Sequence, residues 1–404
     1  MAKDFLGPIP GGRRLVFAVG GNGLVSLASL ALSITIARAS SIAGFAEFSL
    51  AMVAYLFGSG LIRSALTDSA LSRPADRDTF VRSFRRASLV ALLGAVLLVV
   101  WAMVTANFFL LVLGIAFHGL LAFDFLRTFD SAAGAVGRAM VSTTLWSALT
   151  IAGAVLSIAG VLDARIVFIV WALSGALAGY VLMVVARTPL LPRWTRHRED
   201  TGVSALFALD YAVGSGGALL TTGLLGLVDD GRILGAVRGA GTLLGPLNLI
   251  ATTARSLLLP FLSRRDDVPG RQIRSAVRVT AIQVAVLAPF LVALQFLPDA
   301  WGEQLLGETW QLASLALLPL SLEAIFALVG AVANSGHRVA FAGGRSLTLR
   351  LVVGIPRPFI VLACAYAWGL AGATWSMTAI SALNAVLWWA SYHHLSRRPR
   401  PDAR

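Results

Sequence analysis

Read from its first residues, the chain alternates long apolar runs with short polar breaks. Most runs hold about twenty residues, the length at which a helix rising about 1.5 Å per residue crosses a hydrocarbon core about 30 Å thick. The pattern predicts about twelve transmembrane helices, at 15–37, 45–66, 87–105, 107–126, 139–160, 165–186, 205–228, 233–261, 276–297, 310–333, 346–367 and 370–392. A membrane barrel would instead show shorter strands of alternating polarity. In lipid, every backbone N–H and C=O must be paired within the protein, so continuous apolar runs of this length fold as helices. The expected fold class is therefore all-α and polytopic.

The polar breaks carry an orientation signal. With the N-terminus on the cytoplasmic side, the inner segments hold 26 of the 33 Lys and Arg residues, and the outer segments hold only Arg38, Arg165 and Arg232. Such an excess of inner cations places both termini in the cytoplasm and favours an even number of spans. The longest outer loop is about 298–309 and the longest inner ones are 67–86 and 187–204, so no soluble domain is expected and the chemistry must lie in the membrane. The stretch Thr188 to Thr201, with Pro189, Pro192 and charges from Arg193 to Asp200, falls near the midpoint. It reads as a hinge region between an N-terminal lobe at 1–190 (spans 1–6) and a C-terminal lobe at 205–404 (spans 7–12), with the linker at 191–204.

Composition agrees: 57% of the 404 residues are hydrophobic, 13% are charged and the mean hydropathy is +0.80. The net charge of +13 does not indicate nucleic acid, because the arginines recur in separate loops instead of collecting on one soluble face. The single cysteine, Cys364, lies in an apolar run and reads as a small core residue. Lys3, Arg13 and Arg14 precede the first run without a small-residue cleavage site, so that run is expected to remain as span 1. His118, His197, His337, His393 and His394 lie mostly in loops or at helix ends without the spacing of a metal site. No catalytic constellation and no cofactor are expected. Gly20–Gly23 and Gly214–Gly217 open equivalent spans and read as close helix packing.

Charge at bilayer depth is expensive, so each ionisable residue within a span is a candidate site. Span 11 carries Arg350 and Arg357, seven residues apart and therefore on one face of an unbroken helix, with Gly354, Pro356 and Pro358 around them. Prolines there free backbone carbonyls and predict a hinge, and Arg357 lies too deep to reach the surface easily. Span 8 carries Arg238 and Arg255 with Pro246 between them as a second hinge. Arg63, near the inner end of span 2, and Arg255 can either snorkel or face the interior. Guanidinium suits a pyrophosphate because it stays charged when buried and offers forked donors. Asp210 in span 7 and Glu323 in span 10 can pair with these arginines, or can bind a coupling H+ or Na+. Asp124 and Arg127, three residues apart, read as a local helical pair.

A faint internal repeat accompanies the two lobes. Arg63-Ser64 near the end of span 2 matches Arg255-Ser256 near the end of span 8, and Gly137-Arg138 at the start of span 5 matches His337-Arg338 ahead of span 11. The stretch Gly235-Ala236-Val237-Arg238-Gly239-Ala240-Gly241-Thr242-Leu243-Leu244-Gly245-Pro246-Leu247-Asn248-Leu249, followed by Arg255 and Leu259-Pro260, resembles the corresponding helix of bacterial polysaccharide exporters. These are the O-antigen-type lipid-linked oligosaccharide flippases of the multidrug/oligosaccharidyl-lipid/polysaccharide exporter superfamily. Gly44-Phe45-Ala46-Glu47-Phe48 and Asp124-Phe125-Leu126-Arg127 support the resemblance. It implies two six-helix bundles around a central cavity opening to alternate sides. It also implies a monomeric protein of the bacterial cytoplasmic membrane that flips an undecaprenyl-pyrophosphate-linked glycan. The partners would be that anionic lipid and the surrounding bilayer. Two rival readings are a cation-coupled multidrug exporter of the same superfamily and a membrane-embedded glycan polymerase or glycosyltransferase. The first is disfavoured because 15–37 holds none of the acids such exporters carry in span 1; the second, because the loop at 298–309 offers only Asp299, Glu303 and Glu308.

Overall fold

The computed structural model describes residues 11–68, 70, 77–133, 136–188, 198–245, 271–339 and 343–396. These residues form helices and connecting turns, with no strand among them, and eight helices are long and apolar enough to cross a membrane. The chain is an all-α, polytopic membrane protein. In chain order the helices are α1 (Gly11–Ala39), α2 (Ile42–Ile62, continued by a π-helical turn Arg63–Asp68), α3 (Arg77–Thr105), α4 (Phe108–Ala133), α5 (Val136–Ile158) and α6 (Ala164–Val185). They continue with α7 (Arg198–Val213), α8 (Ser215–Leu224), α9 (Arg232–Leu243), α10 (Arg271–Gln295), α11 (Asp299–Leu306), α12 (Trp310–Val339), α13 (Gly343–Gly354) and α14 (Pro356–Ser396). α14 is kinked at Trp368 and Gly369, where Gly369 takes φ 59°, so it has a first arm, 356–367, and a second arm, 370–396. That kink stands where a break between spans 11 and 12 is expected.

Two expected spans are interrupted. Span 7 is α7 and α8 with Gly214 between them, so the glycine cluster at 214–217 breaks a span and does not open one. The ring of Tyr211 explains the composition: a Cβ on Gly216 would come within 2.9 Å of it, and one on Gly60 within 2.1 Å of its hydroxyl. Span 11 is α13 followed by the first arm of α14, broken at Ile355.

The chain divides into two compact units, Met1–Gly223 and Leu224–Arg404. The division falls after the expected linker because α7 docks within the first unit. Ser64 Oγ donates to the carbonyl of Phe207 at 2.9 Å, and Tyr211 Oη donates to that of Leu56 at 3.1 Å. Within the first unit, α4 packs on α2, α3, α5 and α6, and α1 packs on α5. Its span window is 83% buried, which makes it the central helix. Gly175 and Gly179 on α6 form the seam with α4; a Cβ on Gly179 would stand 2.0 Å from the carbonyl oxygen of Gly119. Small residues let helix backbones approach, and dispersion then does what hydrophobicity cannot do in lipid. Phe48, Phe109, Phe168 and Trp171 pack edge-on and stacked beside this seam.

Within the second unit α12 is central, packing on α9, α10, α13 and α14. The order of partners repeats that of the first unit: span 4 on spans 2, 3 and 6, and span 10 on spans 8, 9 and 12. One residue match offered for this repeat fails in detail, since Gly137-Arg138 lies at the start of α5 whereas His337-Arg338 closes α12. The Arg255-Ser256 match lies outside the described residues.

Candidate functional site

In the second unit, polar side chains meet along the seam between α12 and α14. On α12, Trp310–Val339, Glu323 stands fourteen positions along, about 20 Å from the helix start and therefore at mid-span depth. Opposite it, the backbone of span 11 is prepared by sequence: Pro356 and Pro358 lack N–H groups, so the carbonyls of Val352 and Gly354 lose their usual helical donors and the helix ends at Gly354. Arg357 is the second residue after the break. Its Nη2 donates to Glu323 Oε1 at 2.5 Å, with the two side chains 15% and 16% exposed. Ser381 Oγ on the second arm of α14 donates to the same oxygen at 3.3 Å. Three segments distant in sequence thus meet at one carboxylate oxygen.

The arrangement leaves capacity unused. Arg357 Nε is buried and donates to nothing among the described residues. A fully matched guanidinium and carboxylate would form a two-bond fork, as Arg138 and Asp130 do in the first unit. A buried donor without an acceptor costs about 1–3 kcal/mol, so the site favours any further acceptor that reaches it.

Arg238 on α9 shows the same feature more strongly. It is half-buried, its Nε is sealed and unbonded, and no acid pairs with it among the described residues. The helix around it is tightly held: a Cβ on Gly239 would come within 2.9 Å of Thr309 Cγ2, so the backbone of α9 has little freedom to carry the cation elsewhere.

The remaining predicted residues are dispersed. Gly354, Pro356 and Pro358 flank the break between α13 and α14. Arg350 lies half-buried on α13, and the break at Ile355 removes the continuous helix on which its shared face with Arg357 was argued. Arg63 opens the π-helical turn and is exposed. Asp210 is half-buried on α7, in the first unit. Arg255 and Pro246 lie outside the described residues. Arg127 bonds Asp124 at 2.9 Å, the local pair that the spacing predicts.

One histidine departs from the expected placement in loops or at helix ends: His118 lies inside a span, whereas His337 lies at a helix end as expected. His118 lies inside α4, and His337 is fully buried in the last turns of α12, bonded to Ser391 Oγ at 2.9 Å and to the carbonyl of Ala333 at 2.9 Å. The position of His118 in an apolar run was the available signal, and it applies equally to Ser381.

No protein-family model matches the sequence, and no curated protein is significantly similar to it. Solved structures do share its fold. An inward-facing multidrug resistance transporter of the MATE family in the MOP superfamily aligns with a TM-score of 0.69 at 14% identity, covering 92% of this chain and 94% of its own. The lipid II flippase MurJ, in an inward closed conformation, aligns with a TM-score of 0.73 at 12% identity, covering 94% and 90%. A MOP superfamily transporter from Pyrococcus furiosus aligns at 0.56 and 14% identity, covering 95% and 94%. The chain therefore has, over nearly its whole length, the membrane fold that multidrug exporters and a lipid-linked flippase have in common.

Proposed function

We propose that this protein is a transporter, not an enzyme, and that it flips an undecaprenyl-pyrophosphate-linked oligosaccharide or a related anionic lipid-linked glycan from the inner to the outer leaflet of a bacterial cytoplasmic membrane. The observation that carries the reading is the pair of span arginines, Arg238 and Arg357, whose buried Nε atoms donate to nothing among the described residues. Desolvated guanidinium groups with spare donors attract phosphate oxygens; Arg238 does so without an acid partner among the described residues, and Arg357 through the donors its pair with Glu323 leaves over. The rival reading, a cation-coupled multidrug exporter, shares the fold. In the mechanism, alternating access carries the headgroup past the arginines while the polyprenyl tail stays in lipid. Arg350, Arg255 and Arg63 supply further positive charge along the route. Glu323 and Asp210 are the candidate sites for a coupling proton or sodium ion, and no cofactor is needed. The expected form is a monomer with both termini cytoplasmic.

The test is flipping of a fluorescent undecaprenyl-pyrophosphate-linked oligosaccharide by purified protein in proteoliposomes. Arg357→Ala should abolish flipping without reducing insertion, and Arg357→Lys should retain part of it. Full activity in Arg357→Ala, or efflux of ethidium in place of the lipid, would remove the reading. Single cysteines at 197 and 303 in a Cys364→Ser background should label from the inside and the outside respectively, and reversed labelling would overturn the topology.

A further inference from the structure

At the partly exposed edge of the α4–α6 seam, the first unit contains a second polar constellation that the flippase reading does not use. His118, inside α4, has its Nε2 at 2.8 Å from Ser88 Oγ on α3 and its Nδ1 at 3.3 Å from Tyr180 Oη on α6. The imidazole stacks on the Tyr180 ring, with centroids 5.7 Å apart. Three helices are joined through one imidazole.

The partners are what matters. A histidine serving only structure commonly fixes one tautomer by giving an N–H to a carbonyl, and His337 is held in that way by the carbonyl of Ala333. His118 has a hydroxyl at both nitrogens, and a hydroxyl can donate or accept. In the neutral ring one N–H donates to a hydroxyl while the bare nitrogen accepts from the other. In the protonated ring both N–H groups donate, and both hydroxyls turn to accept. Both contacts to the ring survive in both charge states, and the hydroxyl that had donated to the bare nitrogen then turns its own proton away from the ring. One imidazole and two hydroxyls are too poor a donor set for a metal ion, and no group of three metal-ligating side chains occurs among the described residues.

The site also lies where a change of charge acts on packing. Gly119, the next residue, is in backbone contact with Ala176 and Gly179 of α6, and Gly179 immediately precedes Tyr180. The neighbouring elements carry other charged groups, Arg82 and Arg86 of α3 among them. Asp124, further along α4, bonds Arg127, and Asp130 bonds Arg138 of α5. Arg85 on α3 lies one turn before Ser88, Arg63 and Asp68 lie in the π-helical turn, and Tyr55 of α2 stacks edge-on against Trp171. Among the described residues, Tyr180 is the titratable group that bonds the ring.

We propose that Ser88, His118 and Tyr180 form a proton-binding site through which protonation of the first unit changes the packing of α3, α4 and α6 during transport. The site is independent of the substrate assigned above, and its failure would leave that assignment standing.

The experiment is nitrogen NMR of protein with isotopically labelled histidine in lipid nanodiscs, from about pH 5 to about pH 8, where an accessible imidazole titrates. His118→Gln assigns the resonance. That resonance should titrate in the native protein, and its midpoint should move by about half a pH unit or more in Ser88→Ala and in Tyr180→Phe, the worth of one hydrogen bond. Hydrogen exchange across 108–133 and 164–185 should differ between the two ends of the range in the native protein and not in His118→Gln. A resonance that keeps a single protonation state throughout overturns the proposal, as does a midpoint indifferent to both hydroxyls. Should His118→Gln fail to fold, the two hydroxyl variants, which keep the imidazole, decide the matter.

Discussion

The seam between α4 and α6 in the first unit and the seam between α12 and the second arm of α14 in the second join corresponding spans, 4 to 6 and 10 to 12, and they hold by different means. In the first, Gly119 meets Ala176 and Gly179 backbone to backbone, and rings from Phe48 to Trp171 fill the flank. In the second, side chains bond across the contact at successive levels: Thr378 to the carbonyl of Pro319, Ser381 to Glu323, Trp389 to the carbonyl of Val329, and Ser391 to His337. One seam is set by shape and the other by polar pairing. A shape-locked contact resists sliding because any movement drives backbone into backbone. A contact made of exchangeable hydrogen bonds can be remade with other partners, and here one of its members, Glu323, is also ion-paired to Arg357 on the first arm of α14. Specific chemistry is therefore expected in the second unit, with a rigid seam in the first that yields only where His118 takes up charge.

The largest effect should come from unpairing the ions. Glu323→Ala leaves Arg357 without its carboxylate, and thermal unfolding in detergent should show a loss of about 3–5 kcal/mol. Replacing both residues with leucine should restore most of it. If Glu323→Ala costs less than about 1 kcal/mol, the pair is solvated in practice and the contrast between the seams collapses. Next comes shape: Gly179→Ala should cost about 1–3 kcal/mol through overpacking, because its new Cβ has no room beside the carbonyl of Gly119. In the second seam, Gly330→Ala would meet Ala385 at an ordinary 3.5 Å, so it should be neutral or slightly stabilising through helix propensity. Equal costs for the two glycine changes would show that the seams are alike. The smallest effect should be that of Ser381→Ala, about 0.5–1.5 kcal/mol for one lost hydrogen bond, read by the same unfolding assay. Its side chain supports only one of the contacts to Glu323.

Much of this was legible along the chain, for reasons that can be stated residue by residue. Spans follow from apolar run length, because lipid permits little besides helix; α3, α4, α5, α6 and α12 lie close to the expected positions. The break at Gly354 to Pro356 was readable because proline removes a donor whatever surrounds it. Pairing of Glu323 with an arginine of span 11 was readable as one option because neither charge is tolerable alone at that depth. The partner atoms were not. Ser381 lies 58 residues from Glu323, and only packing brings them together. The interruption at Gly214 was hidden because hydropathy continues through it, while its cause, the Tyr211 ring against Gly60 and Gly216, is a contact between distant segments. His118 was passed over because a hydroxyl partner leaves no mark in spacing.

The account rests on the buried arginines receiving a phosphate, and binding measures that more directly than transport. Purified protein in nanodiscs should be titrated with undecaprenyl pyrophosphate, with undecaprenol as the uncharged control. Native protein should bind the pyrophosphate lipid in clear preference to the alcohol, with at least a tenfold loss of affinity, about 1.4 kcal/mol, in Arg238→Gln and in Arg357→Gln. Equal binding of the two lipids, or unchanged affinity in both variants, would contradict it.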